Sequence, residues 1–244
     1  MPGFFCTLLV LGLLLMPDLA RAAEPSQVIM LECDYLPSIC NQPDQPSPGV
    51  MIEIGNEVIR RAGFTPQTRI RPWNRAMREV IASRNAIIIY FARTPEREPL
   101  FHWIAIINRT DFRFFTRDGA APCNTLQQAA AGRIGVRSGS SVLSWLAQQG
   151  MRTQQIEQGQ LADMAKMLKA GRVDSFLGSA ATFKPSYQQE TGAMPVEGKV
   201  VYSSENWIAS GPLFPPETAA KLANALSRMK EDGFIEQVMR KYGK

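Results

Sequence analysis

The sequence predicts an α/β fold in two lobes, with a hinge of two crossing segments and a ligand cleft between the lobes. Three observations predict it. Short apolar runs alternate with helix-period segments in the order β-α-β-α-β from Val28 to Phe91. The same alternation recurs from Arg133 to Gly178. Two extended segments, Asp111–Gly119 and Lys199–Ser210, stand on either side of that second unit. Alternating β and α implies parallel strands joined by right-handed crossovers. In the simplest topology the chain leaves the first lobe near Asp111–Asp118 and returns near Val201–Glu205, and the tail packs on the first lobe. Two crossings make a hinge. Lobe 1 is then 23–112 and 203–244, and lobe 2 is 113–202.

Each element has its own signal. Val28–Glu32 is a short apolar strand. In "MIEIGNEVIRRAG", Met51, Ile54, Val58 and Ala62 recur at helical spacing and Gly63 supplies the stop. Thr68–Arg71 reads as a second strand. "WNRAMREVIAS" repeats the helical period with Trp73, Met77, Val80 and Ile81. Ala86–Phe91 is the unbroken apolar run of a strand buried on both faces. In the second unit Arg133–Val136 is a strand, and Ser138–Ser141 is a turn with an N-cap signal before a helix ending at Gly150. "LADMAKMLKAG" places Leu161, Met164, Ala165 and Leu168 on one helical face, with Gly171 past its end. Val173–Gly178 is the next strand. The tail holds two helical pieces, "PETAAKLANALSRMKEDG" and "FIEQVMRKYG".

Composition narrows the class. With 244 residues the chain can build one large domain or two small lobes with real cores. At 45% hydrophobic and 20% charged it is globular rather than disordered. The N-terminus is separate. Phe4–Met16 is apolar but shorter than the roughly 20 residues that span a bilayer. Ala20-Arg21-Ala22 follows as a small-x-small site, so residues 1–22 read as a signal peptide and the mature protein is expected in the periplasm. The net charge of +5 survives cleavage, because Asp18 and Arg21 leave together. It favours anionic ligands or simple solubility. No long Lys/Arg block points to nucleic acid.

Cleavage removes Cys6 and leaves Cys33, Cys40 and Cys123. In an oxidising compartment Cys33 and Cys40 are the natural disulfide pair, closing a small loop that contains Pro37. Cys123 is left as a buried thiol. With a single histidine, His102, a histidine-rich metal site is excluded, and any Ser-His or Cys-His pair would have to use that residue. Between Phe101 and Trp103, a packing role is the favoured reading for it.

Several segments in order resemble one family. "CDYLP" resembles its first-strand turn and "GVMIEIGNEVIRRAG" its first helix. "ARTPERE" resembles its [ST]-x-T-x-x-R turn, "IGVRSGSS" its h-G-V-x-x-G-[ST]-[ST] segment, and "KLANALSRMKEDGFIEQVMRKYG" its final helix pair. "RPWNRAM" is similar to a subgroup with P-W-x-R-A after the second strand. The family is that of periplasmic solute-binding proteins of the polar-amino-acid type, family 3, and the resemblance covers essentially the whole mature chain. It implies the periplasmic-binding-protein fold, a small polar solute as ligand, an ABC-type permease or a sensor as partner, and no cofactor. A monomer is expected.

The resemblance also implies site residues. Arg97 matches the arginine that forks a ligand carboxylate, a task suited to a planar guanidinium. The plainer reading is a surface ion pair with Glu96 or Glu98. Ser140 and Ser141 sit at a predicted helix start, where free N–H groups favour an anion or a plain cap. Tyr35 matches the family's cleft aromatic, with core packing as the equal alternative. Trp73 lies at a strand end, where α/β sheets bind ligands, although core packing is the favoured reading for it. Glu32 matches a position that is often acidic; a solvated strand end is the slightly favoured alternative. Tyr90 and Ala92 stand where amino-acid binders carry small hydroxyl residues. Ser179 stands where they carry the aspartate that holds an α-ammonium. A buried ammonium without a carboxylate is costly. The expected ligand is therefore carboxylate-bearing or otherwise polar, and not a standard α-amino acid. Two other functions remain open: a cyclohexadienyl-dehydratase-like enzyme on the same scaffold, for which no cleft acid is placed, and a signalling partner without a ligand of its own.

Overall fold

The computed structural model describes residues 27–36, 38–42 and 45–243. The proposed signal peptide, with Cys6, lies outside the described residues. Among the described residues no helix is long and apolar enough to cross a membrane.

The first unit begins with strand β1 (Val28–Cys33), helix α1 (Val50–Arg61), strand β2 (Thr65–Ile70), helix α2 (Trp73–Ala82) and strand β3 (Ala86–Ala92). β1 pairs in parallel with both β2 and β3, as the alternation implied. Strand β4 (His102–Thr116) then runs out of this unit. The second unit holds helix α3 (Leu126–Ala129), strand β5 (Ile134–Arg137), helix α4 (Val142–Gln148), strand β6 (Ile156–Gly159), helix α5 (Leu161–Lys169), strand β7 (Ser175–Ser179) and helix α6 (Ala180–Thr191). β5 pairs in parallel with β6 and β7. Strand β8 (Val196–Ser210) returns, and helices α7 (Pro216–Glu231) and α8 (Phe234–Lys241) close the chain.

One eight-stranded sheet in the order β2-β1-β3-β8-β4-β7-β5-β6 joins the two units. Its continuity depends on β4 and β8, which pair antiparallel from His102↔Ser210 to Thr116↔Val196. β3 attaches to the Asn206–Ser210 end of β8. β7 attaches to the Phe112–Phe115 part of β4. Between these attachments the two long strands pair only with each other. That free ribbon is the hinge of two crossing segments.

Each lobe has helices on both faces. In the first, Ile87 and Ile89 of β3 pack in one cluster with Val58 of α1, Leu226 of α7 and Val238 of α8. Ile88 and Phe91 pack in another with Ala76 and Val80 of α2. This two-sided burial is why β3 reads as a continuous apolar run. In the second lobe Val136, Leu146 and Leu177 form one cluster, and Leu168, Phe176 and Phe183 the other.

Some elements differ from the sequence reading. β2 begins at Thr65 rather than Thr68, and it tolerates Pro66 because it is an edge strand. β4 begins at His102, well before Asp111. α6 gave no signal, because Pro185 lies within it and its apolar residues do not follow a helical stripe. β6, "IEQG", is a short polar strand at the other sheet edge. His102 is exposed at the start of β4, so the packing role is corrected: Phe101 turns inward beside it and is buried.

Cys33 and Cys40 form a disulfide, with Cα atoms 6.3 Å apart. Cys123 is a buried free thiol whose pKa burial raises.

Candidate functional site

The ends of the parallel strands meet between the lobes. β3 ends at Ala92, β5 at Arg137 and β7 at Ser179, and all three residues line one cavity of ≈ 50 Å³. Ligands in α/β sheets gather at carboxyl strand ends for the same reason: the loops that leave them are free to carry polar groups.

Arg97 reaches this cavity from the turn after β3. Its Nη1 donates to the Ala92 carbonyl at 2.9 Å and its Nη2 to the Gly139 carbonyl, on the other lobe, at 3.2 Å. The guanidinium carbon lies 4.6 Å from the Phe91 ring centre and 5.6 Å from that of Trp73. Burial, then the charge of Arg137, lower its pKa to about 10, while Glu96 acts in the opposite direction. The alternative of an ion pair with Glu96 or Glu98 does not hold. Glu98 pairs with Arg93, and Glu96 accepts from Ser144 at 2.9 Å. No carboxylate lies within ion-pair distance of Arg97 among the described residues.

Trp73 is 7% exposed and lines the cavity. It also meets Gly139, whose φ is +71°. A Cβ there would lie 3.1 Å from Trp73 Cδ1, so glycine serves both the turn and the close approach of the lobes. Tyr90 shares the wall, and its backbone explains how. Between Ile88 and Phe91 the pairing of β3 with β8 shifts register, and Tyr90 takes φ 58°. A left-handed tyrosine in a bulge costs on the order of 1–3 kcal/mol. The Tyr90 hydroxyl lies 3.5 Å from Thr110 Oγ1 on the hinge.

Ser140, Ser141 and Ser179 also line the cavity. Ser140 Oγ accepts from the Val142 N–H at 3.4 Å in the turn before α4, whose N-cap residue, Ser141, makes no side-chain capping hydrogen bond. That helix has only 7 residues, so its dipole adds little to anion binding. Ser179 Oγ lies 2.9 Å from Thr182 Oγ1.

Two predicted residues lie elsewhere. Tyr35 is 53% exposed and stands on the wall of a neighbouring pocket of ≈ 420 Å³, which shares Trp73 and Gly139 with the cavity. Core packing is thereby ruled out for it. Glu32 is 1% exposed rather than a solvated strand end, and it is not part of the cavity wall. It faces Arg71 at 3.5 Å and Arg69 at 4.0 Å, and its Oε2 accepts no hydrogen bond. Burial raises its pKa, against the pull of Arg71 and then Arg69. A carboxylate with a raised folded pKa stabilises most below its unfolded value and loses that contribution as pH rises through the folded value. Glu32→Gln is therefore expected to raise Tm at pH 7 by roughly 1–4 °C. The gain should vanish near about pH 3, below the unfolded glutamate value, where Glu32 is protonated in both states. Thermal melts at the two pH values check this, and a lower Tm at pH 7 would mean that the arginine pairing dominates.

Sequence reading missed Arg137 and Asn206. Arg137 lines the cavity at the end of β5, and its Nη1 donates to Asp34 Oδ2 of the other lobe at 2.6 Å. Asn206 is buried on the hinge and donates to Asn108 Oδ1 and Thr110 Oγ1, both at 2.8 Å. Arg137 sat in a variable position of "IGVRSGSS"; its place at a parallel strand's end was the available signal. The Arg97–Gly139 and Arg137–Asp34 contacts, with Ser144–Glu96 and the Ser38 hydroxyl on the Ala181 carbonyl at 3.2 Å, tie the lobes together around the cavity.

Solved structures with the same architecture agree. A histidine kinase sensor domain with similarity to periplasmic binding proteins superposes with a TM-score of 0.78 at 15% identity, over 89% of this chain and 95% of that one. ArgBP from T. maritima, as its P235GK mutant, gives 0.74 at 15% identity, over 89% and 95%. The GluR0 ligand-binding core from Nostoc punctiforme, in complex with L-glutamate, gives 0.73 at 14% identity, over 88% and 98%. At these identities the likeness shows the fold alone: two lobes with a cleft between them. No curated protein matches the sequence. The family match rests on sequence. It runs over residues 28–244, from β1 through the last helix, and by it the chain belongs to the bacterial extracellular solute-binding proteins, family 3.

Proposed function

We propose that this protein captures a small carboxylate-bearing solute between its lobes, in the periplasm, and hands it to an ABC-type permease or to a sensor. In this reading the mature chain starts after Ala22 and acts as a monomer. Lobe 1 is 23–112 with 203–244, and lobe 2 is 113–202.

The observation that carries the reading is Arg97. It holds its charge inside the cleft against backbone carbonyls and two aromatic faces, with no carboxylate partner among the described residues. A bound carboxylate would take both Nη groups as a fork and neutralise the charge. Apart from Arg137, the polar side chains on the wall around it are neutral, among them the serines, Thr182 and Asn206. No acid lines the cavity to receive an α-ammonium, and Ser179 is a poor substitute for one. The solute is therefore not an ordinary α-amino acid. Both handover partners fit the neighbours, which include a sensor domain and a protein described as a putative L-cystine ABC transporter from Listeria monocytogenes, with a TM-score of 0.70 at 19% identity, over 88% of this chain and 95% of that one.

A thermal-shift panel on the exported chain tests the proposal: monocarboxylates, dicarboxylates, alkyl amines, α-amino acids and dipeptides. A carboxylate present at a hundred times its Kd adds about 2.7 kcal/mol by mass action. For a chain of this length that raises Tm by roughly 5–10 °C. Carboxylates are expected to give the shift and amines none. Shifts from amines alone, or none from any carboxylate, would overturn the reading.

A further inference from the structure

We infer that the solute carries two acidic groups, the second held by Arg137. This rests on the reading that Arg97 takes the first.

Among the described residues Arg97 and Arg137 are the only charged ones that line the cavity. They stand on opposite lobes, and both approach the same indole: their guanidinium carbons are 5.6 and 5.9 Å from the Trp73 ring centre. The repulsion is felt, since Arg137 is the second cause of the lowered Arg97 pKa. One carboxylate can neutralise one of these cations. A dianion answers both, and the gain grows in a partly buried site of low dielectric.

Arg137 already touches an acid, but that contact leaves it available. Asp34 engages Nη1 alone. It stands on the wall of the neighbouring pocket, not of the cavity. The other guanidinium nitrogens of Arg137 meet no acceptor among the described residues. Asp34 can orient the guanidinium through Nη1, and Arg137 itself lines the cavity. The neutral rim of Ser140, Ser141, Ser179, Thr182 and Asn206 can donate to remaining acid oxygens without opposing their charge.

Size limits the class. A cavity of ≈ 50 Å³ holds roughly four waters at about 10–15 Å³ each. That suits a small diacid such as oxalate or malonate, and a longer acid would have to extend into the neighbouring pocket that shares Trp73 and Gly139.

Calorimetric titration of the exported protein with oxalate and malonate, against acetate and propionate, tests this. At least one doubly charged probe is expected to bind about tenfold or more tighter than either monocarboxylate. Arg137→Gln should remove that advantage, weakening the doubly charged probe about tenfold or more beyond any change in monocarboxylate affinity. Arg97→Ala should weaken both classes. Asp34→Asn separates recognition from scaffolding: it should keep the preference for the dianion, because Arg137 remains, whereas a purely structural Arg137–Asp34 clip predicts the same loss in both variants. Equal affinity for the two classes in the parent protein, or equal loss of both in Arg137→Gln, overturns the inference and leaves the carboxylate reading standing. Binding of no carboxylate at all overturns both.

Discussion

Arg97→Ala abolishes solute capture and leaves the protein folded. Removing one partner of a buried, hydrogen-bonded charge pair costs about 2–5 kcal/mol of binding, or roughly 30-fold to several thousand-fold in Kd. The fold is expected to tolerate the change. The unliganded side chain makes no ion pair among the described residues, and burial together with Arg137 works against its charge. Its hydrogen bonds go to the carbonyls of Ala92 and Gly139, where water can replace it. Residues kept for binding at the expense of stability behave in this way. Tm of the unliganded variant should therefore match or exceed that of the parent, while titration with any carboxylate that binds the parent shows no heat. Arg97→Lys should recover only a fraction of affinity, because an ammonium keeps the charge and loses the fork. A variant that loses Tm and affinity together would make Arg97 a scaffold residue.

Reduction of the Cys33–Cys40 bond, or the Cys33→Ser/Cys40→Ser pair, lowers Tm by roughly 5–10 °C. The bond links positions 7 residues apart, and loop-closure entropy for so short a loop amounts to about 2.5 kcal/mol. Both sulfurs are buried among Leu36, Ile39, Val50 and Met51, so the unpaired thiols or serines gain no solvation in exchange. The same loop carries Asp34, Tyr35 and Leu36 to the cleft, and Leu36 lines the cavity itself. Affinity should fall with stability. Melts with and without reductant, followed by titration of the reduced protein below its Tm, check both effects. An unchanged Tm would mean that packing alone holds the loop.

The alternation that predicts the two lobes was legible because each core strand is buried on both faces and each flanking helix on one. β3 and α1 show this best: an unbroken apolar run beside a regular stripe ended by Gly63. α6 and β6 were not legible. Pro185 masks the first, and the second is a polar edge strand whose pairing depends on β5 alone. β4 was half-visible because Trp103, Ile104 and Ala105 are only partly buried against the first lobe's clusters and the strand then passes through exposed Arg109 and Asp111, so neither an unbroken apolar run nor a clean alternation marks its whole length.

Site residues divide in the same way. Arg97, Trp73, Ser140, Ser141 and Ser179 sit in linear motifs, and the structure brings them to one cavity. Glu32 sits in such a motif too, yet the side chain turns to Arg71 beneath the sheet's end. The left-handed backbone of Tyr90 was invisible, since it follows from one extra residue in a pairing between strands more than a hundred residues apart in sequence. Arg137 was missed because its meaning is relational: it becomes a cleft residue only when the second lobe turns toward Trp73 and Asp34.

The central claim is that a carboxylate lies on Arg97 between the lobes. A crystal structure of the exported protein grown with malonate tests it most directly. The account predicts malonate in the cleft, with one carboxylate across the Arg97 guanidinium at about 2.7–2.9 Å. Malonate bound elsewhere, with Arg97 still donating to the Ala92 and Gly139 carbonyls, would contradict it.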